Sequence, residues 1–335
     1  MFGTTLVLAP LAGGPGRPEL VAAVGDAGGF GFLPAGYRAA ADVMAEVQRT
    51  RSLTDAGFGV NVFVPGPDRV DEGALAAYLE EIGPEAERLG VDLGPAVWDD
   101  DDWPAKVDAL VADPVAVVSF TFGCPPAEVV RELRRAGSTV VVTVTSAAEA
   151  RAAQGAGADG VCVQGIEAGG HQGAFEDRDP GPEGALASRL ASVRRAVDLP
   201  ITAAGGITTA ADVAAALAAG ASSVQLGTAF LRSAESGASE VHKAALATGE
   251  RTALTRAFSG RTARGVANRF MADHPDAPSA YPHVNSATKA LRRESARRGE
   301  PDAVNLWAGT GFRHAQADDA GTITDRLLTE LRRLA

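Results

Sequence analysis

The chain has 335 residues, 46% of them hydrophobic, and a formal net charge of −11. That length buries a barrel-sized core with an accessory region to spare, and the acidic balance argues against nucleic acid or an anionic membrane as partner. No apolar run approaches the ~20 residues of a membrane span, and no charged segment precedes an apolar one at the N-terminus.

In chain order, residues 6–9 form a short apolar strand stopped by Pro10 and the loop LAGGPG. Residues 19–27 read as a helix, with Pro18 in its first turn and Gly28 and Gly29 past its end. A strand at 30–33, a helix at 39–50 and a strand at 59–62 follow. These strands are continuous apolar runs rather than alternating ones, as in a parallel sheet buried on both faces. Residues 65–113 interrupt the rhythm as an acidic, mainly helical insertion, with an extra strand expected near 93–97. Its four consecutive aspartates, 99–102, read as a solvated turn without chemistry.

The alternation resumes with strands at 115–120, 139–143 and 160–163 and helices at 126–136 and 147–156, the latter N-capped by Ser146. A long loop leads to a helix at 184–197. A strand at 200–203, a helix at 210–219 capped by Thr208 or Thr209, and an eighth strand at 223–226 complete the series. Eight strand–helix units predict an α/β chain built as a (β/α)8 TIM barrel. An open doubly wound sheet is the runner-up; it fits less well because polar loops follow nearly every strand instead of gathering at one switch point.

The expected organisation is a barrel over residues 1–235 with the insertion at 65–113, and a mainly helical substrate-side region over the mouth at 236–310. A C-terminal helical segment, 311–335, packs back on the barrel. Residues 251–307 read as irregular. Arg292, Arg293, Arg297 and Arg298, interleaved with Glu294 and Glu300, read as a solvated helix face. Cys124 and Cys162 show no metal-ligand spacing and read as small buried hydrophobes of a reducing cytoplasm.

Barrel sites form at the C-terminal ends of the strands, and the residues there are not random. Pro10 and AGG follow the first strand, and Asn61 ends the third. Ser119 and Thr121 end the fourth, and QGIEAGGHQG, with Gln164, Glu167, Gly169 and His171, follows the sixth. AAGGI with Gly206 follows the seventh, and Gln225, Leu226, Gly227 and Thr228 close the eighth. His171 is a candidate proton acceptor, since an unperturbed imidazole titrates near neutrality; a hydrogen-bonded turn residue is the plainer alternative. AAGGI ahead of a helix offers backbone N–H groups at a helix N-terminus, and LGT offers more beside it, together a phosphate site. Either loop alone reads as a tight turn. Asn61 and Gln164 can each give and take hydrogen bonds at the edge of a flat heterocycle. Flavin mononucleotide (FMN) fits this set, and no GxGxxG in a βαβ setting points to a separate dinucleotide domain. No metal site is expected.

The ordered set LAPLAGG, GVNVF, QGIEAGGHQG, AAGGI and QLGTAF, with FSGRTARGVANRF, YPHVNSATKALR and NLWAGTGF after it, resembles the nitronate monooxygenase family across residues 6–312. The resemblance implies an FMN barrel that oxidises alkyl nitronates with O2 to a carbonyl compound and nitrite, without metal or external NAD(P)H. Flavin would be held through Asn61, Gln164, Gly169, Gly206 and the run from Gln225 to Thr228, with His171 as catalytic base. Tyr281 and Lys289 match polar positions on the substrate side. Leu11 stands where many members carry methionine, and Thr310 where glutamine is common. Two alternatives remain open: a flavin-dependent enoyl-thioester reductase using NAD(P)H, which shares the EAGGH loop, and a flavin-binding protein without turnover. A branched side chain at Gly206 is expected to weaken flavin binding more than the fold.

Overall fold

The computed structural model describes residues 1–177 and 184–334. Eight parallel strands close a barrel in the order β1 (Leu6–Leu8), β2 (Phe30–Pro34), β3 (Phe58–Phe63), β4 (Val117–Thr121), β5 (Thr139–Val144), β6 (Gly160–Gln164), β8 (Ile201–Ala204) and β9 (Ser223–Leu226). Pairing of Val7 with Gln225 shuts the ring. The two-residue β7 (Gly170–His171) leaves the barrel after β6 and forms a separate three-stranded antiparallel sheet with β11 (Ala263–Val266) and β10 (Thr252–Thr255).

The helices joining the strands are α1 (Pro18–Asp26), α2 (Ala40–Leu53), α3 (Glu72–Leu89), α4 (Trp103–Ala112), α5 (Ala127–Ala136), α6 (Ala147–Ala156), α7 (Leu186–Arg194) and α8 (Ala210–Ala218). After the barrel come α9 (Glu240–Thr248), α10 (Arg269–Asp273), α11 (His283–Ala287), α12 (Lys289–Arg298) and α13 (Ala320–Leu334). Ser146 caps α6 as expected, and Thr209 caps α8 in a reciprocal box with Asp212. None of these helices is long and apolar enough to cross a membrane.

The strands read as unbroken apolar runs because both faces are covered. Leu6, Leu8, Leu33, Val60 and Val62 pack outward in the cluster that includes Leu20 and Val24 of α1 and Val43 and Val47 of α2. Val7, Phe32, Val117, Val141 and Cys162 form a second cluster on the opposite, inward face. The Cys162 thiol is pushed up to about 12 by burial, as suits an inert core cysteine.

Residues 251–307 are more regular than expected. They supply β10, β11 and α10 to α12 and build a separate core with the insertion. Leu75, Tyr78 and Ile82 of α3 pack there with Phe258, Phe270, Val284 and Leu291, and the Tyr78 hydroxyl donates to Ala257 O (2.6 Å). No strand forms at 93–97, because Gly94 instead donates to Ala287 O (2.8 Å) and carries that stretch along α11. The helix expected at 184–197 is shorter, and the loop residues 178–183 lie outside the described residues.

Candidate active site

Above the apolar layer of the barrel interior sits a polar one. Asn61, 2% exposed, donates through its side-chain amide to Ser119 Oγ (2.9 Å) and Thr121 Oγ1 (3.0 Å). Its carbonyl oxygen has no protein partner among the described residues and is free to meet a ligand. Gln225 pairs in register with Val7 and Ala204 and so shares the inward face. Leu226, by contrast, points into the outer core, so only its backbone reaches the mouth; its carbonyl accepts Ala9 N–H.

The loop after β6 is fixed at nearly every residue. Gln164 accepts Gly173 N–H (2.7 Å) and donates to His171 O (3.2 Å), so its amide folds the loop back on itself. Arg264 donates to Ile166 O (2.8 Å), and the Glu167 carboxylate receives Leu186 N–H at the start of α7. Gly169 lies against the backbone of Ala308 and Gly309; a Cβ there would stand 2.5 Å from Gly309 N, which explains the glycine. Thr310 N–H donates to Glu167 O (3.0 Å) and Gly309 N–H to Thr228 Oγ1 (2.9 Å). The NLWAGTG segment therefore ties the loops after β6, β8 and β9 together. Thr310 Oγ1 lies beside Gly206.

Gly205 (φ +117°) and Gly206 (φ +72°) need the left-handed region. The N–H groups of Gly205, Gly206, Gly227 and Thr228 find no hydrogen-bond acceptor among the described residues. Four convergent unpaired donors fit a phosphate. The N–H groups of Thr208 and Thr209, at the entry to α8, do not add to them, since both are held by the Asp212 carboxylate (3.0 and 2.9 Å). A Cβ at Gly206 would stand 3.0 Å from Glu167 Cβ and 3.1 Å from Thr310 Oγ1. With the positive φ, a side chain there strains the fold itself, so the cost is not confined mainly to flavin binding as expected.

His171 is half-buried at the mouth, its Nε2 2.8 Å from Ser259 Oγ. Its ring lies among Phe122, Tyr281 and Trp307, with centroids 5.8, 5.6 and 5.5 Å away. Burial, reinforced by the Arg261 and Arg292 guanidiniums, pushes its pKa down to about 3, so the imidazole is neutral near pH 7 instead of titrating there. Arg261 is 4.1 Å over the Phe122 ring and donates to Gln172 O. Arg292, drawn down to about 10 by burial, stays cationic; it donates to Thr288 Oγ1 and to Asn285 O. It turns toward this cluster, whereas Arg297 and Arg298 pair with Glu294 on the solvated face.

Of the two substrate-side candidates, Tyr281 joins the cluster and reaches the Tyr37 hydroxyl at 3.4 Å. Lys289 does not; it is exposed, with no hydrogen bond or ion pair to the cluster. Sequence reading missed Tyr37, Phe63, Phe122, Ser259, Arg261, Arg292 and Trp307. Ser259 and Arg261 lie in the FSGRTARG stretch, which was visible as a motif but carried no stated chemistry. Among the described residues no group of His, Cys, Asp and Glu could hold a metal. A surface concavity of about 630 Å³ lined by Arg232, Leu246 and Arg313 shares no residue with the His171 cluster.

A family model described as nitronate monooxygenase matches residues 2–330. A nitronate monooxygenase of Pseudomonas aeruginosa is 40% identical, across 98% of this chain and 96% of its own. A probable nitronate monooxygenase of Staphylococcus aureus is 33% identical, across 98% and 94%. The solved nitroalkane oxidase from Streptomyces ansochromogenes superposes with a TM-score of 0.97 at 48% identity, covering 99% of this chain and 96% of that one. FabK from Thermotoga maritima is more distant, with a TM-score of 0.77 at 27% identity over 99% and 94%.

Proposed function

The chain belongs to the nitronate monooxygenase family, and on that footing we propose that it binds FMN at the barrel mouth and oxidises alkyl nitronates with O2 to a carbonyl compound and nitrite. The observation that carries this reading is a neutral imidazole facing two guanidiniums beside an unpaired-donor corner. The N–H groups of Gly205, Gly206, Gly227 and Thr228 would take the phosphate. Asn61 and Gln225 would meet the ring from inside the barrel, with Gln164 and Gly169 shaping the loop around it. When bound, the flavin supplies the electron acceptor for the nitronate carbon, with O2 as the final acceptor.

The chain's own part is to hold an anion and manage one proton. Ser259 donates its hydroxyl to Arg261 O (3.2 Å), so His171 Nε2–H donates to Ser259 Oγ and Nδ1 carries the open lone pair. Nδ1 can then accept the α-proton of a neutral nitroalkane. A nitronate needs no such transfer and gains directly from Arg261 and Arg292, which offset its charge in a site walled by Phe122, Tyr281 and Trp307. The same cations oppose formation of an imidazolium, so the geometry favours preformed nitronate over nitroalkane.

Supplied with an alkyl nitronate in air, the FMN-loaded protein should consume O2 and release nitrite with no nicotinamide present. Nitrite formation absent, with NAD(P)H oxidised against an enoyl thioester instead, would reassign it to the reductases. Inertness to both would leave only flavin binding.

A further inference from the structure

Four non-glycine residues among the described ones have positive φ: Tyr37 (67°), Asp101 (58°), Asp102 (54°) and Phe122 (75°). All four meet in one wall of the mouth. Strain of this kind persists only where the surroundings over-determine it, and here the surroundings are polar. Tyr37 N–H donates to Asp101 Oδ1 (2.7 Å), and Asp102 Oδ2 receives Ala40 N–H (2.7 Å) at the start of α2. Asp99 and Asp100 brace the turn by accepting the N–H groups of Asp101 and Asp102 (2.7 and 3.0 Å). The second oxygen of Asp101 lies 2.8 Å from Lys106 Nζ, whose side chain is 0% exposed. The aspartate run is therefore a built device and not a solvated turn.

What it holds is Tyr37. That side chain is 37% exposed, with its ring 5.4 Å from Phe63 and its hydroxyl against Tyr281. Phe63 leads to Phe122, and Phe122 to His171. A buried lysine–aspartate pair gives little net stability, so its presence behind this loop asks for another reason.

We propose that Asp101 and Lys106 are positioning residues that fix the β2–α2 loop so that Tyr37 and Tyr281 form the substrate-side wall facing His171. The proposal rests on the mouth being the nitronate site. Lys106 holds the carboxylate, the carboxylate holds Tyr37 N–H, and the wall sets how tightly a small anion is bound.

The test uses two flavin-loaded double variants. D101N/K106M removes the charge pair but keeps an acceptor for Tyr37 N–H in a residue that tolerates positive φ. D101G/K106M removes the acceptor as well, without leaving a lone buried charge. In D101G/K106M the KM for nitronate should rise about tenfold with kcat little changed, the pattern of lost ground-state positioning, and amide exchange at residues 35–40 should quicken. D101N/K106M should stay near wild type on both. Equal behaviour of the two variants, or unchanged exchange at 35–40 in D101G/K106M, would overturn the proposal. Quickened exchange in D101G/K106M alone, in a protein whose wild type ignores nitronates, would keep the clamp and sink the substrate reading.

Discussion

His171 illustrates how a residue's chemistry is set by groups that sequence order hides. The glycine-rich loop marked it, but Ser259 lies 88 positions away and Arg292 further still. An imidazole expected to titrate near neutrality is held neutral down to about pH 3 by burial and by the Arg261 and Arg292 guanidiniums. His171→Asn should lower activity on a neutral nitroalkane by about 10²–10⁴-fold, the usual scale for a general base, and cost less on a preformed nitronate. The ratio of the two activities, wild type against variant, decides between roles. Equal losses would make His171 an anion-binding residue only. At Gly206 the structure revises the expected phenotype: Gly206→Val should lower thermal stability even without flavin, because φ is +72° and Glu167 and Thr310 lie close. A flavin-free variant that melts with the wild type would contradict this.

The barrel elements were legible because parallel strands covered on both sides leave uninterrupted apolar runs, and Gly, Ser and Thr mark the helix ends. The sheet of β7, β10 and β11 was not legible. β7 has two residues, β10 has no fully buried residue, and the pairing of β7 with β11 joins segments about 90 positions apart. The aspartate clamp was hidden for a related reason, since an acidic run looks solvated unless Tyr37, Ala40 and Lys106 are known to lie against it. At α8 the capping box makes a separable prediction. Thr209→Ala should cost about 1 kcal/mol of stability and leave FMN affinity unchanged, because the Asp212 carboxylate already takes the Thr208 and Thr209 N–H groups at that helix end. A large fall in affinity with no change in denaturation midpoint would place the phosphate on α8.

For the whole molecule, two neutral histidines, half-buried His171 and buried His242, set the response to acid. His171 and His242 titrate at about 3 and about 4 in the folded chain, both lowered from 6.5 by burial. Unfolding lets them take up protons below 6.5, so stability is full above that pH and falls as pH drops toward 4. Each unit costs about 1.4 kcal/mol per histidine. Carboxylates held low, such as Glu85 and Asp212, add to the loss only below the usual carboxylate range. The melting temperature of the flavin-free protein should be level from pH 8 to 7 and decline between 6.5 and 4.5. A flat profile across that window would mean the two imidazoles are not held neutral.

The reaction itself is tested most directly without oxygen. On anaerobic mixing of the FMN-loaded protein with an alkyl nitronate, the oxidised flavin absorbance should bleach. Admitting O2 should restore it as nitrite appears. A flavin that keeps its oxidised spectrum in the presence of nitronate but bleaches with NAD(P)H would contradict the assignment.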